Sequence, residues 1–238
     1  MYPPAVPSRF IPLFTARTGS TWLMDALHRH PWVTALSEEL GASKQLTADA
    51  QREWLDDFYG RRGARRLAVG FKAKLWYLHD REHLRDTIRR RSVRVVHLTR
   101  RNTLRAAVSG IRSHERHAVS GKWNARREDA PLPPSVIALA ELDRKIDLVE
   151  RTRDELAAFV ATLEAPTIGI VYEDLVADRV AQFRRLASFL RTPLFASIAG
   201  RTRFAKNTPA DWHGAVANID ELRAHVAGSA YEPMLDQP

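Results

Sequence analysis

The sequence predicts an α/β fold with a central, mostly parallel sheet flanked by helices. Three observations support this. Short apolar runs alternate with longer amphipathic segments along the chain. Several of these runs are continuously apolar, as in parallel strands covered on both faces. Polar clusters at 15–21, 72–75 and 99–109 each follow such a run, and active sites of parallel sheets lie at the carboxyl ends of the strands.

The first elements come early in the chain. Residues 9–16 (RFIPLFTA) predict a buried strand, although Pro12 donates no hydrogen bond to a sheet. A helix is predicted over 20–30, because its apolar residues share one face and Pro31 follows it. A second short strand is predicted over 32–36.

The middle of the chain continues the alternation. Residues 66–72 predict a strand and 81–91 a helix. The β-branched run VRVVHL at 93–98 predicts another strand, and 102–114 the helix after it. Residues 115–134 are polar and contain prolines, which indicates a loop.

The last third supplies the remaining elements. A long amphipathic helix is predicted over 135–163, with Ser135 as its N-cap. Residues 167–175 predict a strand that ends in acids, and 180–190 a helix. A final helix is expected near 215–227.

Composition sets the class of protein. The 238 residues, 45% of them hydrophobic, are enough for one core, so a single domain over 1–238 is predicted. No apolar run reaches the roughly 18 residues of a membrane span, and no apolar segment typical of a secretory signal lies near the start. Cysteine is absent, which excludes disulfides and thiolate metal sites. A cytoplasmic protein is therefore expected.

The charge balance points to anionic partners. The chain has 37 Lys and Arg against 28 Asp and Glu, a formal net charge of +9. This excess suits nucleic acid, phosphorylated small molecules or a membrane surface, and does not choose among them. The sequence offers no aromatic stacking platform and no recognised nucleic-acid motif, so nucleic acid is not expected. A non-enzymatic binder of nucleic acid stays an alternative.

The turn 17–21 (RTGST) lies where the first strand passes into the first helix. The first N–H groups of a helix carry partial positive charge and suit a bound anion. Gly19 lets the backbone approach closely, while Arg17 and the hydroxyls of Ser20 and Thr21 add donors. The turn therefore predicts phosphate or sulfate binding; an ordinary helix start is the alternative.

The turn differs from the P-loop of nucleoside triphosphatases. The first glycine and the lysine of that motif are missing, and the strand VRVVHL does not end in an Asp that would hold magnesium. A nucleotide kinase on a P-loop-like fold nevertheless stays an alternative. No cluster of residues suggests a metal site.

A second basic turn follows the strand at 93–98. Arg101 stands at its end, and Ser109 lies eight residues later, two turns into the predicted helix. An arginine and a serine so placed could hold two oxygens of a second phosphate. A helix with a polar start and a surface serine is the alternative.

The two motifs, RTGSTWL and Arg-Asn-x₆-Ser, resemble the cofactor motifs of the sulfotransferases that use 3′-phosphoadenosine 5′-phosphosulfate (PAPS). Further matches are HPWV, YEDL and KNTPADWHGAVANIDEL, which resemble the bacterial carbohydrate-type branch with the nodulation and trehalose sulfotransferases. The resemblance is scattered over residues 10 to 235. It implies a P-loop NTPase-like sulfotransferase fold without ATP hydrolysis.

The same resemblance assigns cofactor residues. The 5′-phosphosulfate is expected on Arg17, Thr18, Gly19, Ser20 and Thr21. Trp22 is expected near the adenine or packed beneath the loop. The 3′-phosphate is expected on Arg101 and Ser109, with Arg203 and Lys206 as further candidates. Desulfated PAP is the expected product, and no metal is required.

The residue at the position of the general base differs from that of the human-type enzymes. Those enzymes resemble this chain at Lys72-Ala73-Lys74-Leu75, but carry Lys-Thr-His-Leu with the histidine as base. In the carbohydrate branch a glutamate after the first helix serves instead. Glu38 fits that position, with Glu39 as the fallback, while Lys72 or Lys74 assists the sulfonate charge. Arg17 and the start of the first helix are expected to stabilise the bridging oxygen.

Transfer of a sulfuryl group in line to a hydroxyl acceptor is therefore the predicted reaction. The resemblance suggests a sugar or glycolipid acceptor, with a secondary metabolite or phenol as alternatives. The segments 38–62 and 115–134 are the expected acceptor loops. A bacterial source is expected from the arginine-rich composition, and a homodimer is left open.

Overall fold

The computed structural model describes residues 7–41, 44, 46–60, 66–193, 202–205, 208–209 and 211–237. These residues form two compact units. The sheet unit comprises the described residues within Met1–Thr15, Gly19–Thr99 and Glu155–Arg201. The helical unit comprises those within Ala16–Thr18, Arg100–Asp154 and Thr202–Pro238. The single domain over 1–238 stays a prediction.

Five parallel strands form the sheet, which confirms the predicted α/β class. They are β1 Ser8–Phe14, β2 Val33–Leu36, β3 Ala68–Phe71, β4 Arg94–Thr99 and β5 Thr167–Val171, in the order β2-β3-β1-β4-β5. Each neighbouring pair is parallel. The carboxyl ends of β2, β3 and β1 therefore meet at one edge of the sheet.

Pro12 lies inside the central strand β1. Its carbonyl accepts a hydrogen bond from the Ala73 N–H at 3.0 Å, so this residue faces the side of β3. The ladder between β1 and β3 ends at Phe10, paired with Gly70. The missing N–H of Pro12 thus falls beyond the regular ladder, which is why a proline is tolerated here.

The α-helices of the described chain are, in order, α1 Ser20–His28, α2 Ala48–Gly60, α3 Arg81–Arg90, α4 Thr103–Ser120, α5 Leu139–Ala161, α6 Tyr172–Ala177, α7 Arg179–Leu190 and α8 Ile219–Val226. Short 3₁₀ helices cover Leu75–Tyr77 and Glu232–Leu235. None of these helices combines the length and apolar composition that a membrane crossing requires.

Some predicted elements differ from the structure. The expected acceptor loop 38–62 contains helix α2, whose buried residues Gln51, Leu55 and Tyr59 recur every four positions. The strand predicted to residue 175 ends at Val171, and Tyr172 begins α6. The helix predicted from 135 begins at Leu139. The last two differences lie at the ends of elements, which are the hardest positions to assign, whereas α2 is a complete helix that was not predicted from the sequence.

Apolar side chains cover the sheet on both faces. One cluster packs α1 and α7 against the strands through Leu23, Leu27 and Phe183. A second cluster contains Leu55, Leu84 and residues of the last turns of α5. In the helical unit, a separate core joins α4, α8 and the first part of α5, and includes the buried Trp212.

Gly70 is a strand position that leaves no room for a side chain. A Cβ there would lie 2.3 Å from the Phe10 carbonyl oxygen and 2.7 Å from the Phe10 ring. We expect Gly70→Ala to lower the free energy of unfolding by about 1–3 kcal/mol, the usual cost of overpacking. Urea denaturation measures this change. Gly169→Ala in β5, where a Cβ meets nothing within 4 Å, is the matched control; equal stability of both variants would contradict the prediction.

Candidate functional site

The predicted anion-binding turn leads into α1 as expected. Gly19 caps the helix in the left-handed conformation, with φ of 79°. A Cβ at this position would lie 2.6 Å from the Tyr172 ring, so packing as well as backbone conformation requires glycine. Because the cap has no side chain, no cap oxygen accepts from the N–H groups of the first turn. The start of α1 thus keeps the donors that suit an anion.

Lys72 brings a buried cation to this helix start. Its ammonium lies 3.0 Å from the Thr21 Oγ1 and 3.4 Å from the Ser20 Oγ, and the side chain is only 2% exposed. Lys72 follows β3, the strand next to β1 in the sheet. The turn lacks the lysine of a nucleotide P-loop, and Lys72 brings a lysine to the same helix start from the neighbouring strand.

Glu38 lies between two lysines. Its carboxylate is 3.2 Å from the Lys72 Nζ and 2.9 Å from the Lys74 Nζ. Burial alone would raise the pKa of Glu38, but the two ammonium groups outweigh it and hold the pKa below its ordinary value. Glu38 is therefore ionised at neutral pH, and the three groups together carry one net positive charge.

An aromatic ring supports the lysine pair. The Phe14 ring, at the end of β1, lies 5.1 Å from the Lys72 Nζ and 5.3 Å from the Lys74 Nζ. These distances allow cation–π attraction to both ammonium groups. Three adjacent strands, β2, β3 and β1, thus lead directly to one charged cluster of Glu38, Lys72 and Lys74, which we call the lysine–glutamate cluster.

Two other predicted residues of the sheet unit lie differently. The fallback base Glu39 pairs with Lys44 at 3.2 Å, so Glu38 is the acid that contacts Lys72 and Lys74. Trp22 packs against the core cluster beside α1. Its indole N–H is buried without a hydrogen-bond partner among the described residues. A role of Trp22 toward adenine stays a prediction.

In the helical unit, Arg17 contacts the second motif directly. Its guanidinium donates to the Ser109 Oγ at 3.0 Å and to the Ser113 Oγ and the Asn124 Oδ1 at 3.2 Å each. The backbone of Arg17 is left-handed, with φ of 65°. Arg100 donates to the Arg17 carbonyl at 3.1 Å. The two motifs that the sequence predicts separately are thus joined by one arginine side chain.

The structure describes three further predicted phosphate ligands of this unit. Thr18 is buried and Arg101 is exposed. Arg203 lies over the Phe204 ring at 5.3 Å. Lys206 lies outside the described residues. The N-terminus of α4 is capped by the Asn102 side chain, which accepts from the Arg105 N–H at 2.7 Å.

Sequence reasoning missed several residues of these groups. Ser113 lies one helical turn after Ser109, so helical periodicity could have identified it. Phe14 and Tyr172 carry no signal beyond an apolar strand end and a YEDL match. Asn124 lies in a polar loop, and nothing in the sequence pairs it with Arg17. Among the described residues, no group of three or more His, Asp or Glu side chains could hold a metal ion.

Comparison with known proteins gives one sequence relative and several structures. The chain is 26% identical to nodulation protein H of Rhizobium tropici, over 94% of this chain and 92% of that protein. No family model matches. A sulfotransferase of Alicyclobacillus acidocaldarius superposes with a TM-score of 0.51 at 16% identity, covering 98% of both chains. The chain has the fold of the sulfotransferases.

A second structure gives the same result. Mouse sulfotransferase SULT7A1, solved in complex with PAP, superposes with a TM-score of 0.52 at 16% identity. The alignment covers 96% of this chain and 87% of the mouse protein. These superpositions confirm the sulfotransferase fold that the resemblance of the two motifs implied. The lysine–glutamate cluster therefore lies at the strand ends of a sulfotransferase fold.

The pairing of Glu38 with Lys74 predicts a measurable pKa change. In Lys74→Met, the nearer ammonium is lost, so the pKa of Glu38 should rise. Carboxyl-carbon NMR titration measures this pKa. Lys44→Met, which removes the partner of Glu39, is the matched control and should leave Glu38 unchanged. A Glu38 pKa that stays the same in Lys74→Met would contradict the ion-pair account.

The pairing of Glu38 with Lys74 also predicts how the stability of the protein changes with pH. The pKa of Glu38 is lower in the folded state than in the unfolded state. Its contribution to stability is therefore present above the unfolded pKa, about 4.3, and is lost as the pH falls through the folded pKa. Lys74→Met reduces the shift, and its stability should therefore fall less steeply on the acid side. Unfolding midpoints measured between about pH 3 and pH 7, which spans this titration, give the slope of stability against pH for both proteins.

Proposed function

We propose that this protein is a PAPS-dependent sulfotransferase that moves a sulfuryl group to a hydroxyl acceptor. The sulfotransferase fold and the similarity to nodulation protein H support this activity. The observation that carries it is the buried Lys72 ammonium, in contact with both hydroxyls at the start of α1. A helix start, two hydroxyls and a buried cation together fit a sulfuryl or phosphate group.

The residues of the sheet unit fit the phosphosulfate end of the donor. Gly19 leaves the first-turn N–H groups without a capping side chain, while Ser20, Thr21 and Lys72 provide side-chain donors. When bound, PAPS supplies the sulfuryl group and a phosphate leaving group. The lysine–glutamate cluster is net positive, so Lys72 and Lys74 would neutralise negative charge that develops on these oxygens.

Glu38 would take the proton of the acceptor hydroxyl. As the acceptor oxygen forms its bond to sulfur, the bond from sulfur to the bridging phosphate oxygen breaks, and the hydroxyl proton goes to the Glu38 carboxylate. Its lowered pKa makes Glu38 a weak base that is always in the accepting, ionised form. Lys74, held 2.9 Å away, would orient the carboxylate.

The residues of the helical unit fit a phosphate. Arg17, Ser109 and Ser113 form one hydrogen-bonded group that combines a forked cation with two hydroxyls. We assign the 3′-phosphate to Ser109 and Arg101, with Arg203 and Lys206 as further donors. We assign Arg17 and Thr18 to the 5′-phosphosulfate of PAPS. A sugar or glycolipid acceptor, a cytoplasmic location and a bacterial source remain part of the proposal.

Binding of PAP tests the cofactor. Arg17→Ala and Ser109→Ala should each weaken PAP binding at least about tenfold, because each removes a donor to an anionic group. Isothermal titration calorimetry measures the affinity, with Ser120→Ala at the end of α4 as a matched serine control. Unchanged PAP affinity in both variants would refute the assignment. Tighter binding of ATP with magnesium than of PAP would favour the kinase alternative.

Turnover tests the base. Glu38→Gln should lose roughly 10²–10⁴-fold in turnover, the usual contribution of a general base, while PAP affinity is retained. Glu39→Gln, on the acid that pairs with Lys44, is the matched control and should stay active. Transfer of labelled sulfate from PAPS to a panel of hydroxyl compounds gives the rates. A fully active Glu38→Gln enzyme would move the base to another residue.

A further inference from the structure

Trp76 is a large aromatic side chain that stays exposed beside the lysine–glutamate cluster. It is 42% exposed, and its ring lies 5.3 Å from the Lys74 ammonium. The same ammonium is 2.9 Å from the Glu38 carboxylate. The Tyr77 ring also contacts the Trp76 ring, with 5.8 Å between the ring centroids. A partly exposed tryptophan ring therefore lies beside the lysine that pairs with the proposed base, and the donor site does not use it.

The backbone under Trp76 is held firmly in place. Trp76 is the middle residue of the 3₁₀ helix Leu75–Tyr77, in which Leu75 is buried. The Gln51 side chain, from α2, donates to the Tyr77 carbonyl at 2.6 Å and accepts from the His79 N–H at 3.0 Å. Gln51 is itself 4% exposed. The ring is thus presented on a preorganised turn, as a binding platform requires.

The chemistry around the ring selects one class of ligand. A pyranose ring has an apolar face of C–H groups and a polar rim of hydroxyls. Trp76 offers a flat apolar surface for the face, while Glu38 and Lys74 offer an acceptor and a donor for the rim. A phenol also stacks on an indole ring, but it offers these two rim groups a single hydroxyl where a pyranose offers several.

We propose that Trp76 is the stacking platform for a pyranose ring of the acceptor, placed so that a ring hydroxyl reaches Glu38. The inference deepens the proposed function and rests on it for the identity of the site. It names a specificity residue and the sugar class together, and it adds no covalent step. A free glycoside and the headgroup of a glycolipid share this chemistry.

Ligand binding tests the platform without turnover. Saturation-transfer NMR with methyl pyranosides of glucose, galactose and N-acetylglucosamine, with and without PAP, should give ring-proton signals on the unmodified protein. Trp76→Ala should lose them and Trp76→Phe should restore them. Trp32→Ala is the matched control, since Trp32 is equally exposed, at 41%, in the same unit. The proposal would be overturned if the signals persisted in Trp76→Ala, or if none of the pyranosides gave a signal with the unmodified protein.

Kinetics and PAP binding separate this inference from the proposed function. Trp76→Ala should raise KM for a pyranoside acceptor about tenfold or more, the loss expected for one stacked ring contact, with unchanged PAP affinity. If phenol bound in preference to the pyranosides, the acceptor would be an aromatic compound and not a sugar. A protein that binds pyranosides through Trp76 but not PAP would refute the proposed function and leave the platform intact. A glycolipid micelle compared with the free glycoside identifies the source of the sugar.

Discussion

The buried ammonium of Lys72 is the constraint on which this site depends. A cation with a 2% exposed side chain costs several kcal/mol to remove from water unless it is paired and hydrogen-bonded. Glu38, Thr21 and Ser20 provide those partners, and the Phe14 ring lies beside the charge. Folding therefore brings the ends of β1, β2 and β3 and the start of α1 to fixed distances from one nitrogen atom.

The parallel sheet makes this arrangement possible. Strands β2, β3 and β1 are neighbours and run in the same direction, so the residues after each one meet at the same edge. Glu38, Lys72 and Phe14 come from three distant parts of the sequence, yet each follows or ends its own strand. The excess of one positive charge in the lysine–glutamate cluster then favours an anionic group at the helix start.

The contacts of the Arg17 side chain could not be predicted from the local sequence. Its place in the turn 17–21 suggests that it faces the same anion as Ser20 and Thr21. In the structure, its backbone is left-handed and its guanidinium donates three hydrogen bonds, to Ser109, Ser113 and Asn124. Asn124 follows α4 by a loop of polar residues, whose path no periodicity predicts. A second-motif serine and a first-motif arginine thus belong to one hydrogen-bonded group, which the spacing of the motifs could not reveal.

The sequence by itself determined the fold class, the strands, the sulfotransferase resemblance and the identity of the charged residues, because hydrophobic periodicity and short turn motifs are local properties of the chain. The resemblance to the carbohydrate branch also implied Glu38, ahead of Glu39, as the base. Only the tertiary structure decided that Lys72 reaches the hydroxyls of α1, that Lys74 completes the ion pair, and that Trp76 stays exposed next to them. These facts depend on which strands are neighbours and on how Gln51 fixes a distant turn, and such long-range contacts leave no periodic trace in the sequence.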